Sequence, residues 1–109
     1  MAPEDFRRIA LSMPEAEEVY RRGQSQFRAR RKTFATLEGT ADSWAVVRLT
    51  PDQQATFVGS AFAPVSGGEG RLGATVVRLD EAKEWIVKEA LAAAWSNVAP
   101  KPRKKRSRT

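Results

Sequence analysis

Apolar and polar residues recur with two different periods along this chain, and the periods predict its helices and strands. Near the N-terminus, apolar side chains recur at the spacing of one helix face, at Phe6, Ile9, Ala10 and Met13. From Ser43 to Leu49 the spacing changes to strict alternation, which is typical of a strand with one buried face. The chain therefore combines amphipathic helices with half-buried strands.

The same pattern, together with Gly and Pro at the breaks, predicts the order of the elements. The predicted helices span Pro3 to Met13, Thr50 to Gly59 and Asp80 to about Asn97. The predicted strands span Glu17–Arg22, a hairpin from Gln24 to Leu37, Ser43–Leu49, Phe62–Val65 and Ala74–Leu79. Because short turns join most strands, with no repeated βαβ rhythm, we expect an α+β, two-layer sandwich, in which an antiparallel sheet carries helices on one face (α-β3/4-α-β2-α).

Capping residues indicate where the later helices begin. Thr50 and Gln53 have the spacing of a capping box, with Pro51 at the first helical position. Asp80 is predicted to cap the last helix, and Asp52 lies at the start of the middle one. These aspartates therefore have a structural role in the predicted fold.

The hairpin has a predicted two-residue turn at Arg30–Arg31, which sets Phe27 opposite Phe34. Neither turn residue is Gly, Asn or Asp, so a type I′ turn is strained here, and the register is fixed only to within one residue. The expected core comprises Phe6, Ile9, Phe27, Phe34, Val47, Leu91 and Trp95, with Trp44 and Phe57 as further aromatic candidates. Trp85 projects from the opposite side of the last helix and is expected to be exposed.

Composition and charge divide the chain into two parts. Its 109 residues are enough for one domain, and the formal net charge is +6. All of that excess lies in the last ten residues, at Lys101, Arg103, Lys104, Lys105, Arg106 and Arg108. The other 13 Lys and Arg residues balance the 13 acids. We expect a neutral domain at 1–99 followed by a disordered basic tail at 100–109.

Several kinds of chemistry are excluded by the residues that are missing. With no Cys and no His, the chain has no disulfide, no thiolate or imidazole metal ligand, and no Cys–His or Ser–His nucleophile pair. No charge-free stretch is long enough to span a membrane. Glu4 and Asp5 lie where a signal peptide needs an apolar segment. We expect a cytoplasmic protein that is not an enzyme and needs no cofactor.

Short strings spread over residues 4–101 are similar, in order, to those of a known family. They are Ala10–Pro14, Glu17–Glu18, Gln26–Arg30, Lys32–Ala35, Phe62, Pro64–Val65, Gly70–Arg71, Gly73, Thr75–Leu79, Leu91–Trp95 and Ala99–Lys101. The ordered set resembles the MmcQ/YjbR family. That resemblance implies a CyaY-like α/β sandwich, described as a double-wing DNA-binding fold. The chain departs from the family at Arg31, where members often carry glycine, and at Glu69 and Ala74, where they often carry tryptophan.

Two cationic segments are the candidate nucleic-acid sites. The first is the hairpin cluster of Arg28, Arg30, Arg31 and Lys32, in which alternation puts Arg28 and Arg30 on one face, away from Phe27 and Ala29. A basic hairpin can lie along a groove and neutralise phosphates; the alternative is a solvated edge whose charge prevents sheet-to-sheet aggregation. The second is the basic tail, which attracts any polyanion without choosing a sequence.

The glycine-rich segment Gly68–Gly73 matches G-x-G-x-x-G, the fingerprint of dinucleotide-binding proteins. We reject that function because a strand, and not a helix, is predicted to follow it. A flexible second wing is the preferred interpretation, with Arg71 available for a phosphate. Clustered carboxylates at Glu15, Glu17 and Glu18 could in principle bind a metal, but a solvated edge is favoured, and no metal is expected.

These patterns lead to a hypothesis about function. We expect a non-catalytic, monomeric protein that binds nucleic acid, DNA rather than RNA, through phosphate contacts with little sequence readout. The alternative is a protein–protein or small-ligand binding module, because the expected fold resembles secretion-chaperone and frataxin-like sheets. In that case the exposed Trp85 marks the surface for a protein partner.

Overall fold

A computed structural model of the protein describes residues 1–38, 44–59 and 61–98. The helices are α1 (Pro3–Leu11), α2 (Pro51–Phe57), α3 (Gly68–Arg71) and α4 (Glu84–Val98). The strands are β1 (Ala16–Arg21), β2 (Gln24–Ala29), β3 (Lys32–Glu38), β4 (Trp44–Arg48), β5 (Phe62–Pro64) and β6 (Ala74–Arg78).

Within these residues, the strands form one open six-stranded sheet in the order β1-β2-β3-β4-β6-β5. Every neighbouring pair is antiparallel. Helices α1 and α4 pack against each other, α1 also packs on β1 and β3, and α4 packs on β3 and β4. The predicted α+β class, with an antiparallel sheet and helices packed on it, is confirmed.

The core lies between the sheet and helices α1 and α4. Phe27 of β2 and Val47 of β4 face Phe6 of α1 and Leu91 of α4, and all four side chains are completely buried. The rings of Phe6 and Phe27 meet edge to face, with centroids 6.0 Å apart. Because the apolar period of each element places these residues on one face, their burial follows directly from the sequence pattern.

The β2–β3 hairpin has its turn at the predicted position but a different register. Arg30 and Arg31 occupy the turn with φ of +56° and +71°, the left-handed conformation that was expected to be strained. A bulge between Phe27 and Arg28 sets Phe27 opposite Ala35. The predicted pairing of Phe27 with Phe34 is therefore wrong. Since the bulge places one extra residue in β3, Phe34 and Ala35 are both buried in succession.

The last helix begins later than its predicted cap. Asp80 lies in a turn, in which the backbone N–H groups of Glu81 and Ala82 donate to the carbonyls of Arg78 and Leu79. Helix α4 starts only at Glu84, so Asp80 does not cap it. Leu79 and Ala82 are both buried. Their burial packs this turn against the core, so the helix starts after the turn.

The other capping residues have the expected effects. The Thr50 hydroxyl accepts from the N–H of Gln53, whose side chain accepts from the Thr50 N–H, so the predicted capping box is confirmed. At the start of α1, the N–H of Ala2 donates to the Asp5 carboxylate at 3.0 Å. That hydrogen bond, followed by the neighbouring Arg8 guanidinium, holds the pKa of Asp5 below its usual range, although partial desolvation opposes the shift.

The glycine-rich segment is not an irregular loop, because Gly68–Arg71 forms the single-turn helix α3 between the paired strands β5 and β6. The side-chain amide of Gln54 fixes this connection by donating to the carbonyls of Gly70 and Ala74, both at 3.0 Å. A Cβ at Gly70 would overlap the carbonyl of Val65. Close packing explains this glycine without a phosphate ligand.

Three of the predicted core aromatics are only half-buried. Phe57 lies at the edge of the core beside Phe62, with ring centroids 5.7 Å apart. Trp95 packs on the core but reaches its boundary, where its Nε1 donates to the carbonyl of Pro14 at 2.8 Å. Trp44 lies on the other face of the sheet, because it alternates with the buried Ala45.

Candidate nucleic-acid interface

The four cations of the predicted hairpin cluster lie together at one end of the sheet. Arg28 is on β2, Arg30 and Arg31 form the turn, and Lys32 is the first residue of β3. The prediction that Arg28 and Arg30 share a strand face is wrong. Arg30 has left the strand for the turn, where the left-handed backbone redirects its side chain.

The cations of this cluster differ in their partners. The Arg28 guanidinium donates to the carbonyl of Arg31 at 3.0 Å, which braces the turn. Arg30 lies 3.5 Å from the Glu15 carboxylate. Among the residues that the structure describes, Arg31 and Lys32 are exposed and make no ion pair. These two side chains are the ones most open to a phosphate.

Two further arginines lie at the opposite end of β2. Arg21 ends β1 and Arg22 begins the β1–β2 turn, where its φ is +51°. Since β2 is six residues long, the two turns are roughly 20 Å apart. Arg21 and Arg22 therefore do not extend the hairpin cluster.

Arg71 lies at the same end of the sheet as the hairpin cluster. It is the last residue of α3, which ends shortly before β6 begins. The first residue of β6 is opposite Arg48 at the end of β4. Strands β2 and β6 are three positions apart in the sheet, a separation of about 14 Å. The hairpin and α3 thus project from one end of the sheet, on either side of its middle strands.

A polar groove of about 260 Å³ lies on the sheet face between these two projections. It is lined by Gln24, Gln26, Thr33, Thr36, Val46, Arg48 and Glu69. Arg48 was not among the predicted site residues. It follows the buried Val47 on β4 and so lies away from the core, and the pairing of β4 with β3 and β6 places it between the hairpin and α3.

A second hollow, of about 550 Å³, lies farther along the same face. Trp44, Val76, Arg78, Asp80 and Glu81 line it. The Arg78 guanidinium lies 3.6 Å from the Glu81 carboxylate. Trp44 and Arg78 are directly opposite each other on β4 and β6, so this hollow places an aromatic ring beside a cation.

The predicted carboxylate cluster is divided between the two faces of β1. Glu18 lies 3.3 Å from Nε of Arg7 and accepts a hydrogen bond from the Ser25 hydroxyl at 2.5 Å. Glu17 is exposed on the opposite face, where Arg28 is the residue directly opposite it on β2. Glu15 contacts Arg30. Among the described residues, no group of three or more acidic side chains has an arrangement that could hold a metal ion.

The remaining predicted sites lie elsewhere. The tail cations at 101, 103–106 and 108 are outside the described residues. Trp85 is 61% exposed on α4, as predicted. Within the described ranges, no helix combines the length and the apolar character needed to cross a membrane.

The fold of this chain is also found in a solved structure. No family model matches the chain, and no curated protein matches it. Among solved structures, its fold is similar to that of a protein whose domain is described as DUF419, and DUF419 is related to the MmcQ/YjbR family. The particular structure is that of Deinococcus radiodurans protein DR2400. It has a TM-score of 0.75 and 16% sequence identity, and the match covers 95% of this chain and 83% of that one.

Proposed function

We propose that this protein is a cytoplasmic, non-catalytic member of the MmcQ/YjbR family that binds DNA through phosphate contacts. The observation that carries the proposal is the position of Arg31 and Lys32 on the hairpin turn, exposed and without an ion pair among the described residues. The last residue of the turn and the first residue of β3 thus present cations away from the core. Phosphate neutralisation by such cations is the main source of sequence-independent affinity for DNA.

The likeness of the fold to a DUF419 domain and the ordered strings quoted above support the family assignment. Arg71, at the same end of the sheet, supplies a cation for a second contact on the duplex. The six cations of the basic tail then add affinity without sequence choice.

Charge reversal at the two ends of β2 tests the hairpin. The pair Arg30→Glu and Arg31→Glu should abolish binding of duplex DNA by a protein lacking residues 100–109, in a mobility-shift titration at low salt. The pair Arg21→Glu and Arg22→Glu is the matched control, because it changes the net charge equally at the other end of the strand. Equal losses in both variants would contradict a localised site.

Deleting residues 100–109 separates the tail from the domain. Within the described residues, the buried core lies between Phe6 and Ala94, so we expect the fold to be unaffected. If each of the six tail cations neutralises about one phosphate, the deletion should flatten the slope of log K against log salt by about 5. Absence of any DNA binding by the shortened protein, even at low salt, would overturn the hairpin site.

Scrambling the DNA sequence should change the affinity less than tenfold, since phosphate contacts carry no sequence information. A thousandfold preference for one sequence would contradict this proposal.

A protein-binding function is the second candidate, favoured by one observation. Trp85 is 61% exposed on a helix that also carries the exposed Lys88 and Glu89 one turn away. An exposed aromatic with mixed charges around it suits a protein partner. If the shortened protein does not bind DNA, this function becomes the leading one.

A further inference from the structure

We infer that the open face of the sheet binds the unpaired bases of a single-stranded nucleic acid. This inference rests on the proposed function and specifies which form of nucleic acid the domain prefers. The open face is the one opposite α1 and α4, presented by Trp44, Val46 and Arg48 on β4 and by the residues that pair with them.

Strand β4 places three kinds of side chain in a row along this face. Trp44, Val46 and Arg48 alternate with buried neighbours, so successive side chains in the row are about 7 Å apart. That spacing gives an aromatic ring, an aliphatic surface and a guanidinium along one line. Bases stack on aromatic rings in a sequence-tolerant way, and arginines contact the backbone phosphates.

The polar groove beside this row can form hydrogen bonds with base edges. Gln26 and Thr36 lie directly opposite each other on β2 and β3, and Thr36 is opposite Val46. Amides and hydroxyls both donate and accept. Glu69, on the α3 side of the groove, can accept from an exocyclic amino group of cytosine or adenine.

Arginines on four strands of this face can contact the phosphates of a nucleic acid. The described strand side chains on the face carry one carboxylate, Glu17, and the carboxylates of Glu69, Asp80 and Glu81 line the two hollows. The arginines are Arg21, Arg28, Arg48 and Arg78. They lie at or next to the ends of their strands, and Val46 and Val76 occupy the interior of the face. Trp44, the first residue of β4, lies opposite Arg78, so a base stacked on Trp44 has a guanidinium beside it for its phosphate.

A single strand fits this face better than a duplex does. In a duplex the bases are stacked and paired, and a protein reaches them only with an element that enters a groove. The open face instead has hollows of about 260 and 550 Å³. Unstacked bases can enter such hollows and stack on side chains.

The test uses the full-length protein, a labelled 12-nucleotide single strand of mixed sequence and the duplex of the same sequence. Trp44→Ala should weaken single-strand binding roughly tenfold, the usual effect of losing one stacked base, and leave duplex binding within twofold. Trp44→Phe should retain most of the affinity. Trp85→Ala is the control, because it removes a more exposed tryptophan from α4.

Tryptophan fluorescence gives a second measurement that does not depend on a truncated side chain. The single strand should quench the fluorescence of the Trp85→Phe protein, and the quenching should disappear in the Trp44→Phe protein. Unchanged quenching in the Trp44→Phe protein would overturn the inference.

The outcomes separate this inference from the proposed function. Duplex binding that depends on Arg30 and Arg31, with no effect of Trp44 on either ligand, would refute the open-face site and leave the hairpin site intact. A failure of both nucleic acids to bind at low salt would refute both proposals. Binding of a protein that Trp44→Ala abolishes, without any nucleic-acid binding, would likewise overturn the inference.

Discussion

The two faces of the sheet are built from alternate residues of the same strands, yet they have opposite properties. On the helix side, Phe27 and Val47 are completely buried. On the open side, their chain neighbours Gln26 and Val46 line a polar groove. A strand therefore supplies stability through every second residue and leaves the residues between free for binding.

This difference shows where substitutions should be tolerated. A residue facing α1 and α4 is fixed by close packing, so changes in its volume are costly. A residue on the open side contacts water and not the core, so packing does not constrain its side chain, which is free to contact a ligand. Substitutions on the two faces measure how far the stability of the fold depends on each.

The largest effect is expected from neighbouring residues of β2. Phe27→Ala should lower the free energy of unfolding by about 3–5 kcal/mol, because it leaves a cavity beside Phe6. Gln26→Ala, on the open face, should change it by about 0.5 kcal/mol or less. Chemical denaturation of the two variants measures both values. Similar losses would show that the open face is also part of the packed structure.

A smaller effect is expected where α3 closes one end of the open face. Gly70→Ala should cost about 1–3 kcal/mol, because the new methyl group overlaps the carbonyl of Val65. Gly68→Ala meets nothing within 4 Å and serves as the control. Thermal unfolding of both variants provides the comparison. If Gly70→Ala is as stable as its control, α3 does not depend on this close approach.

The smallest effect distinguishes two adjacent glutamates of β1. Glu18→Gln should cost about 1 kcal/mol, because the partly buried carboxylate loses its ion pair with Arg7. Glu17→Gln, which faces the open side, should have a smaller effect on stability. Urea titrations at neutral pH measure both. A larger loss for Glu17 would reverse the assignment of the two faces.

Local periodicity was enough to predict most of the fold. The apolar spacing in α1, the alternation in β4 and the capping box at Thr50 each depend on neighbours within a few residues of the chain. The candidate cations were found for the same reason, since Arg28, Arg30, Arg31 and Lys32 are close together in the sequence. Such features can be predicted from the sequence because they depend only on residues that are close together in the chain.

Tertiary contacts decided the features that periodicity missed. The bulge at Phe27 lets Phe34 and Ala35 both enter the core, which simple alternation does not allow. Asp80 does not cap α4, because the turn that buries Leu79 and Ala82 places the start of the helix at Glu84. These outcomes depend on which residues of distant elements compete for the same space.

The sequence by itself determined which residues alternate and which carry charge, because both are properties of neighbours along the chain. Only the tertiary structure decided which charges share a surface. Pairing β4 between β3 and β6 places Arg48 between the hairpin and α3, and the length of β2 separates Arg21 from Arg31. Strand order and register are set by packing among elements far apart in the chain, so no local pattern contains them.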